Sequence, residues 1–424
     1  MGKNSNQLSK KGSHIMANKV LVIGSGVAGL SAACELAELD IDVEIVEQSD
    51  FPGGHAIQYT CKATDTCVKC GACMVEEKLD RVVNHPKIKV MTGTRVQDVS
   101  KSDDFSLKLV KKPLFIDPEK CTNCGVCFEK CPEKGAVVKG FSRNHSPFYA
   151  ISEDKCLYLK DRSCTICQEA CPEKAIDLNV PEEAKSTRAD AVILATGFTP
   201  FNPVSKPYGY GEFRNVVTNL ELERMLRTDG RVLKPSTGTE AENIAFIQCV
   251  GSRDAKLNHL WCSKVCCGSA LRMAGLVKAR QPGTQLTFFY MDVQTFGRDF
   301  DVFYAKVRKD VRLIRAIPGD IYPVAGDRLQ VTFLDNVSSE TMQEEFDLVV
   351  LSVGMTPCRG LQETAETLQV QLAETGFAEK DGQGTPASEK GVFLAGAVTG
   401  PMSIPESIAS AGNTAFEVVK YLGV

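Results

Sequence analysis

No apolar run in these 424 residues approaches the roughly 18–20 consecutive residues that a membrane-crossing helix requires, so a helical span is excluded. Basic charge is not in excess either. The 49 Lys and Arg stand against 53 Asp and Glu, a formal charge of −4, which leaves nucleic acid and anionic membrane surfaces no electrostatic footprint. The segment Met1 to Ile15 has no apolar core of a signal peptide and ends in Gly12-Ser13-His14-Ile15 before Met16. Residues 1–18 therefore read as a poorly ordered tail or tag. No side chain stands out as a general acid or base, and none is assigned as catalytic. His55 is read as a solvated or structural loop histidine.

Cysteine, by contrast, is abundant. At 43% hydrophobic and 24% charged residues the chain is ordinary globular protein, long enough for two or three domains. Of its 18 cysteines, all but Cys34 and Cys358 fall into four tetrads. In a short secreted chain such a count would mean disulfides; at this length and with these spacings it means metal ligands in a reducing, cytoplasmic and oxygen-poor setting. Two tetrads form consecutive runs, Cys121-x2-Cys124-x2-Cys127-x3-Cys131-Pro132 and Cys156-x7-Cys164-x2-Cys167-x3-Cys171-Pro172. Both are close to the bacterial ferredoxin run, in which the fourth cysteine of each run ligates the other cluster. By that rule Cys121, Cys124, Cys127 and Cys171 hold one four-iron (4Fe–4S) cluster, and Cys156, Cys164, Cys167 and Cys131 hold its neighbour. Zinc also accepts CxxC pairs, but two successive runs each ending in Cys-Pro point to clusters. The longer spacer after Cys156 enlarges one loop without removing a ligand.

The apolar run Val20 to Ile23 leads into Gly24-Ser25-Gly26-Val27-Ala28-Gly29 and then a helical stretch from Leu30 to Leu39. Gly24 permits the turn, Gly26 lets the backbone approach a pyrophosphate, and Gly29 lets helix pack on strand, with the helix N-terminus as the anion site. A second strand, Val43 to Val46, ends in Glu47, placed to bind a ribose hydroxyl. NAD and FAD share this fingerprint, and later segments decide between them. Ala191 to Leu194 with Ala195-Thr196-Gly197 is similar to the strand and turn that close the flavin domain of the glutathione and thioredoxin reductase superfamily. Gly391 to Ala395 with Gly396 is similar to its late flavin strand. Where most of those enzymes continue with Asp, this chain has Ala397. Groups in the stretch Thr399 to Ala409, including Ile404 and Ser407, lead into a helix whose N-terminus would face the flavin instead. In related reductases the region corresponding to Phe51-Pro52-Gly53-Gly54-His55 approaches the flavin.

A second strand-turn-helix begins at Asn243 to Gln248. In the pyridine-nucleotide reductases its turn would carry another GxGxxG; here it reads Cys249-Val250-Gly251-Ser252-Arg253 and continues to Cys262-Ser263-Lys264-Val265-Cys266-Cys267. The close approach to pyrophosphate is lost, and four soft ligands take its place; ordinary buried cysteine is the alternative. The remaining tetrad, Cys61-x5-Cys67-x2-Cys70-x2-Cys73, fits a cubane, a zinc site or a dithiol pair, since no Cys-Pro ends it. Cys34 is read as packing within the first helix, and Cys358 has no evident partner.

The motifs Phe246-Ile247-Gln248-Cys249-Val250-Gly251-Ser252-Arg253-Asp254, Trp261 to Cys267, the ferredoxin insert, and Gly400 to Ser407 with its Ile-Pro-Glu-Ser core together resemble the flavoprotein A subunit of heterodisulfide reductase, from about Lys19 to Val424. The resemblance implies FAD, several 4Fe–4S clusters including one at Cys249, Cys262, Cys266 and Cys267, and electron transfer with B- and C-type subunits or other iron–sulfur carriers. Some family members split hydride pairs between acceptors of high and low potential. Long members have further terminal domains, so the chain reads as a short form; homodimerisation is left open. Two other functions compete: a self-sufficient NAD(P)H-dependent reductase like the glutamate synthase small subunit, which requires a second GxGxxG that does not follow Phe246, and a non-enzymatic iron–sulfur sensor or scaffold, which has no need of FAD.

The expected architecture is an α/β fold of two Rossmann-type units, as in thioredoxin reductase. Residues 19–112, 181–241 and 356–424 form a discontinuous FAD domain, residues 113–180 an inserted two-cluster ferredoxin domain, and residues 242–355 a degenerate nicotinamide-type domain carrying a cysteine cluster.

Overall fold

A computed structural model describes residues 18–142, 148–294, 297, 299–381 and 387–424; most of the N-terminal tail lies outside the described residues. The chain opens with β1 (Lys19–Ile23), α1 (Val27–Ala37) and β2 (Asp42–Val46), followed by α2 (Ala72–Asn84), β3 (Ile88–Met91), β4 (Thr94–Lys101) and β5 (Phe105–Lys111). Val20, Leu21 and Val22 are fully buried, which is what a central parallel strand covered on both faces requires. The ferredoxin insert follows, with α3 (Val126–Lys130), β6 (Val137–Lys139), β7 (Tyr149–Ile151), α4 (Leu157–Asp161) and α5 (Ile166–Ala170). It leaves the body between β5 and β8 (Glu183–Ala189), which pair antiparallel from Phe105↔Ala189 to Lys111↔Glu183. An antiparallel bridge between Ile116 and Ile176 closes its base. The added residues after Cys156 form α4, so the enlarged loop is a turn of helix ended by Arg162 in the left-handed region.

Strand β9 (Ala191–Leu194) returns to the first sheet, and β10 (Phe198–Pro200) leaves it. The second unit contains β11 (Val216–Thr218), α6 (Asn219–Thr228), β12 (Asn243–Val250), α7 (Cys266–Arg280), β13 (Gln285–Phe289), α8 (Phe300–Val307) and β14 (Arg312–Ile314). The antiparallel strands β15 (Asp320–Val324), β16 (Arg328–Leu334) and β17 (Thr341–Phe346) then precede β18 (Leu348–Val353). Strand β19 (Met355–Pro357) pairs antiparallel with β10, making a two-stranded passage between the units. The chain finishes with α9 (Leu361–Thr367), β20 (Val392–Leu394) and α10 (Ile404–Leu422).

Two five-stranded sheets result, in the orders β20-β9-β1-β2-β3 and β11-β18-β12-β13-β14, each parallel throughout. One boundary differs from expectation. Residues 201–241 read as flavin-domain chain, yet β11 pairs with β18 through Val216↔Val349 and Leu222 and Leu226 of α6 pack in the core of the second sheet. That unit therefore begins just after β10. Helix α10 starts with a capping box, Ser403 accepting from the Glu406 N–H while Glu406 accepts from Ser403, which satisfies two helix-end donors.

Candidate functional site

At the first sheet, residues 24–26 alone separate β1 from α1. A Cβ on Gly24 would lie 2.5 Å from the Ala195 carbonyl oxygen and one on Gly29 would lie 1.9 Å from that of Gly24, so both glycines are demanded by packing. A Cβ on Gly26 would meet nothing within 4 Å. That open space lies at the start of α1, where a pyrophosphate is received by the N-terminal N–H groups. Gly54 closes against the turn, its missing Cβ 2.9 Å from Gly26 Cα, and the Gly53 N–H bonds Ser25 O. Glu47 is buried, Oε2 accepting from the Ser25 N–H and hydroxyl and Oε1 from those of Ser49. Because the Ser49 hydroxyl has a second acceptor in Phe51 O at 2.8 Å, it can yield its place on Glu47 to a ribose hydroxyl. Thr196 and Gly197 follow β9, and a Cβ on Gly197 would also meet open space. Gly396 packs on Ala28, and Ser407 lies beside it. Cys358, to which the sequence assigns no partner, lies beside the hydroxyls of Thr196 and Thr199; burial pushes its thiol up. The His55 ring, through Nε2, lies 3.1 Å from Phe198 O, to which it donates, and burial lowers its basicity, which suits a structural role.

In the ferredoxin insert the cysteines sort as the crossing rule expects. One cavity is lined by Cys121, Cys124, Cys127 and Cys171, the other by Cys131, Cys156, Cys164 and Cys167. Burial pushes the Cys127 and Cys167 thiols up to about 11; among the further causes are Cys171 acting on Cys127 and Cys131 acting on Cys167. Thiols held in such surroundings ionise readily only when a cationic core replaces their protons. Among the described residues no three such side chains converge tightly enough for a single metal ion. Each cavity gathers four thiols, the ligand count of a cubane, and the crossed pairing of the two runs is the ferredoxin arrangement rather than that of tetrahedral zinc.

Residues 251–265 separate β12 from α7, in contrast to the short glycine turn of the first sheet. Register shifts between Ile247 and Val250 as β12 pairs with β18, and Cys249 has φ +60°; the bulge turns Cys249 out of the ladder. Burial pushes its thiol up to about 11, with Cys267 and Cys262 among the further causes. Burial likewise raises Cys266, followed by the effects of Cys267, Cys249 and Cys262, so the four thiols form one electrostatic group. The segment is stitched in place: Ser252 and Ser263 share a hydrogen bond of 2.6 Å, Ser263 accepts from the Met355 N–H, and Trp261 donates to Met355 O. Arg253 grips Asp292 with both terminal nitrogens at 2.6 and 3.0 Å. A Cβ on Gly251 would lie 2.1 Å from the Phe201 ring.

The remaining cysteines, Cys61, Cys67, Cys70 and Cys73, occupy the loop before α2 and its first turn; all but Cys70 are exposed. The loop is held from two sides. Arg272 of α7 donates to Val68 O at 2.9 Å, and Gly71 lies under Ile404, whose Cγ2 is 3.0 Å from the missing Cβ. Lys62, beside Cys61, makes a buried ion pair with Glu223 of α6 at 2.6 Å. Lys264, between Cys262 and Cys266, pairs with Glu406 at 2.5 Å. The first turn of α10 therefore touches both outer cysteine loops, while Ser407 stands behind the glycine turn. Arg227 of α6 adds the ferredoxin insert, donating to Tyr59 O and Phe141 O.

This is a two-Rossmann flavoprotein fold with a 4Fe–4S ferredoxin insert. T. acidophilum thioredoxin reductase has the same fold, with a TM-score of 0.55 and 16% identity over 96% of this chain and all of that one. The model of an NAD(P)-binding Rossmann-like domain matches residues 22–75, and that of a 4Fe-4S binding domain matches residues 114–134. The chain is 35% identical to the second iron-sulfur A subunit of the CoB–CoM heterodisulfide reductase of Methanopyrus kandleri, over 94% of this chain and 64% of that protein. It is 34% identical to the A subunit of the H2:CoB–CoM heterodisulfide, ferredoxin reductase of Methanothermobacter marburgensis, over 94% of this chain and 63% of the relative. Across this aligned length the chain is similar to heterodisulfide reductase A subunits. It spans just under two thirds of the length of these relatives, and FAD and 4Fe–4S clusters are the cofactors of its fold and insert.

Proposed function

We propose that this chain is the flavin and iron–sulfur electron-transfer subunit of a heterodisulfide-reductase-like complex, handing electrons to B- and C-type subunits or to other iron–sulfur carriers. FAD supplies the exchange between two-electron and one-electron chemistry, and 4Fe–4S clusters carry single electrons. The residues Gly24, Gly26 and Gly29 shape the dinucleotide turn, Glu47 positions a ribose, and α10 presents its capped N-terminus from Ile404. The four cysteine quartets hold the clusters. What supports this reading above all is the meeting of two cysteine loops at the first turn of α10, through Gly71 against Ile404 and Lys264 against Glu406, beside the dinucleotide turn.

The test is Cys262→Ala in anaerobically reconstituted protein. It should lower iron by about four atoms, one cubane, and leave FAD content at the parent level, because the dinucleotide turn lies on the other sheet. Equal iron in variant and parent, with unchanged low-temperature spectra at several potentials, would return these cysteines to packing.

A further inference from the structure

Gln248 and Ser352 are among the few described residues with a buried side-chain polar atom that lacks a hydrogen-bond partner. Neither the amide nitrogen nor the amide oxygen of Gln248 has a hydrogen-bond partner, nor does the hydroxyl of Ser352. Gln248 is 8% exposed and Ser352 fully buried. An unsatisfied buried polar group costs about 1–3 kcal/mol and calls for a reason such as a redox role or a bound species.

Their place in the fold supplies one. Along β12 and β18 side chains alternate between faces. Phe246 and Val350 point into the core beneath α7, while Ile247, Leu351 and Val353 point into the opposite core. Two positions on, Gln248 and Ser352 continue the rows of Phe246 and Val350, on the α7 side and at the carboxyl end of the sheet. Helix α7 begins there with Cys266 and Cys267. The Cys266 thiol lies 3.8 Å from the carbonyl oxygen of Val353, the residue after Ser352, and Gln248 directly precedes Cys249 at the bulge. The Arg253 guanidinium, paired with Asp292, also reaches Cys249, whereas Gln248 and Ser352 are neutral.

We propose that Gln248 and Ser352 are hydrogen-bond donors to the sulfur atoms of the cluster held by Cys249, Cys262, Cys266 and Cys267, and that they raise its reduction potential. The proposal rests on the reading that a cluster occupies this quartet. Cluster sulfurs are acceptors that gain negative charge on reduction, so an N–H or O–H donor favours the reduced state; hydrogen bonding to sulfur is one of the levers that set such potentials. Two neutral donors do this without adding a further charge beside Arg253.

Anaerobic redox titration followed by electron paramagnetic resonance tests the assignment. Gln248→Leu keeps bulk and removes the donor. One cluster should then become harder to reduce, its reduced-to-oxidised ratio at fixed potential falling about tenfold, or about 59 mV for a one-electron couple. Ser352→Ala should shift the same cluster in the same direction by less, and serves alone if the leucine variant does not fold. Iron and FAD contents should stay at parent level in both. Unchanged potentials with full iron would overturn the proposal, as would a variant that merely melts higher, the result expected if the amide only held water. If Cys262→Ala loses no iron, it is the cluster reading beneath the proposal that fails, and the two failures are thereby distinguished.

Discussion

Mixed without oxygen with NADH or NADPH, the isolated flavoprotein is expected to stay oxidised over seconds, whereas dithionite reduces it fully. Nicotinamide-dependent reductases commonly turn over at about 1–10³ per second, so stopped-flow absorbance separates the cases by orders of magnitude. The cause lies at the start of the second sheet. A nicotinamide dinucleotide needs a tight glycine turn that brings backbone N–H groups to its pyrophosphate. Here residues 251–265 intervene, Phe201 lies against Gly251, and Arg253 is bound to Asp292. In the proposed function the glycine turn of the first sheet takes FAD. Rapid, saturable reduction by NADH would promote the self-sufficient reductase reading.

Replacing Lys62 by Met should destabilise the protein by about 3–5 kcal/mol, the usual result of leaving one member of a buried ion pair uncompensated. The pair is nearly inaccessible, with 3% and 2% of the two side chains exposed. Burial pushes the Glu223 carboxyl up, and Lys62 followed by the Thr60 N–H opposes that shift. Without Lys62 the carboxyl must take up a proton or pull in water. Urea unfolding of the variant should show a lower midpoint, and Lys62→Met combined with Glu223→Leu should recover most of the loss, since apolar replacement of a whole buried pair is often close to neutral. A single variant as stable as the parent would contradict the role given to this pair in anchoring the Cys61 loop on α6.

The short-range chemistry was legible in the sequence. Ligand spacing is local, so the two ferredoxin runs and the glycine turn announced themselves, and the crossing rule anticipated which thiols share each cavity. The placement of residues 201–241 was not legible, because β11 meets β18 across more than a hundred intervening residues and the segment carries no pattern of its own that names a sheet. The bulge at Cys249 was hidden for a similar reason: it arises from pairing with β18, not from local glycine. Glu223 did leave a signal, a charged residue between Leu222 and Leu226 on the core side of a short helix, which asks for a buried partner. Nothing in the sequence around Lys62 identified that partner. The unsatisfied state of Gln248 and Ser352 also emerges only once both strands are in register.

The central claim, that this flavin fold is wired by four clusters, is tested most directly by iron, acid-labile sulfide and FAD measured together on protein purified and reconstituted without oxygen. The account predicts about sixteen irons and about sixteen sulfides for each FAD, four cubanes with four cysteines each, and no zinc. About eight irons per FAD would keep the ferredoxin pair and contradict clusters at Cys61 to Cys73 and at Cys249 to Cys267.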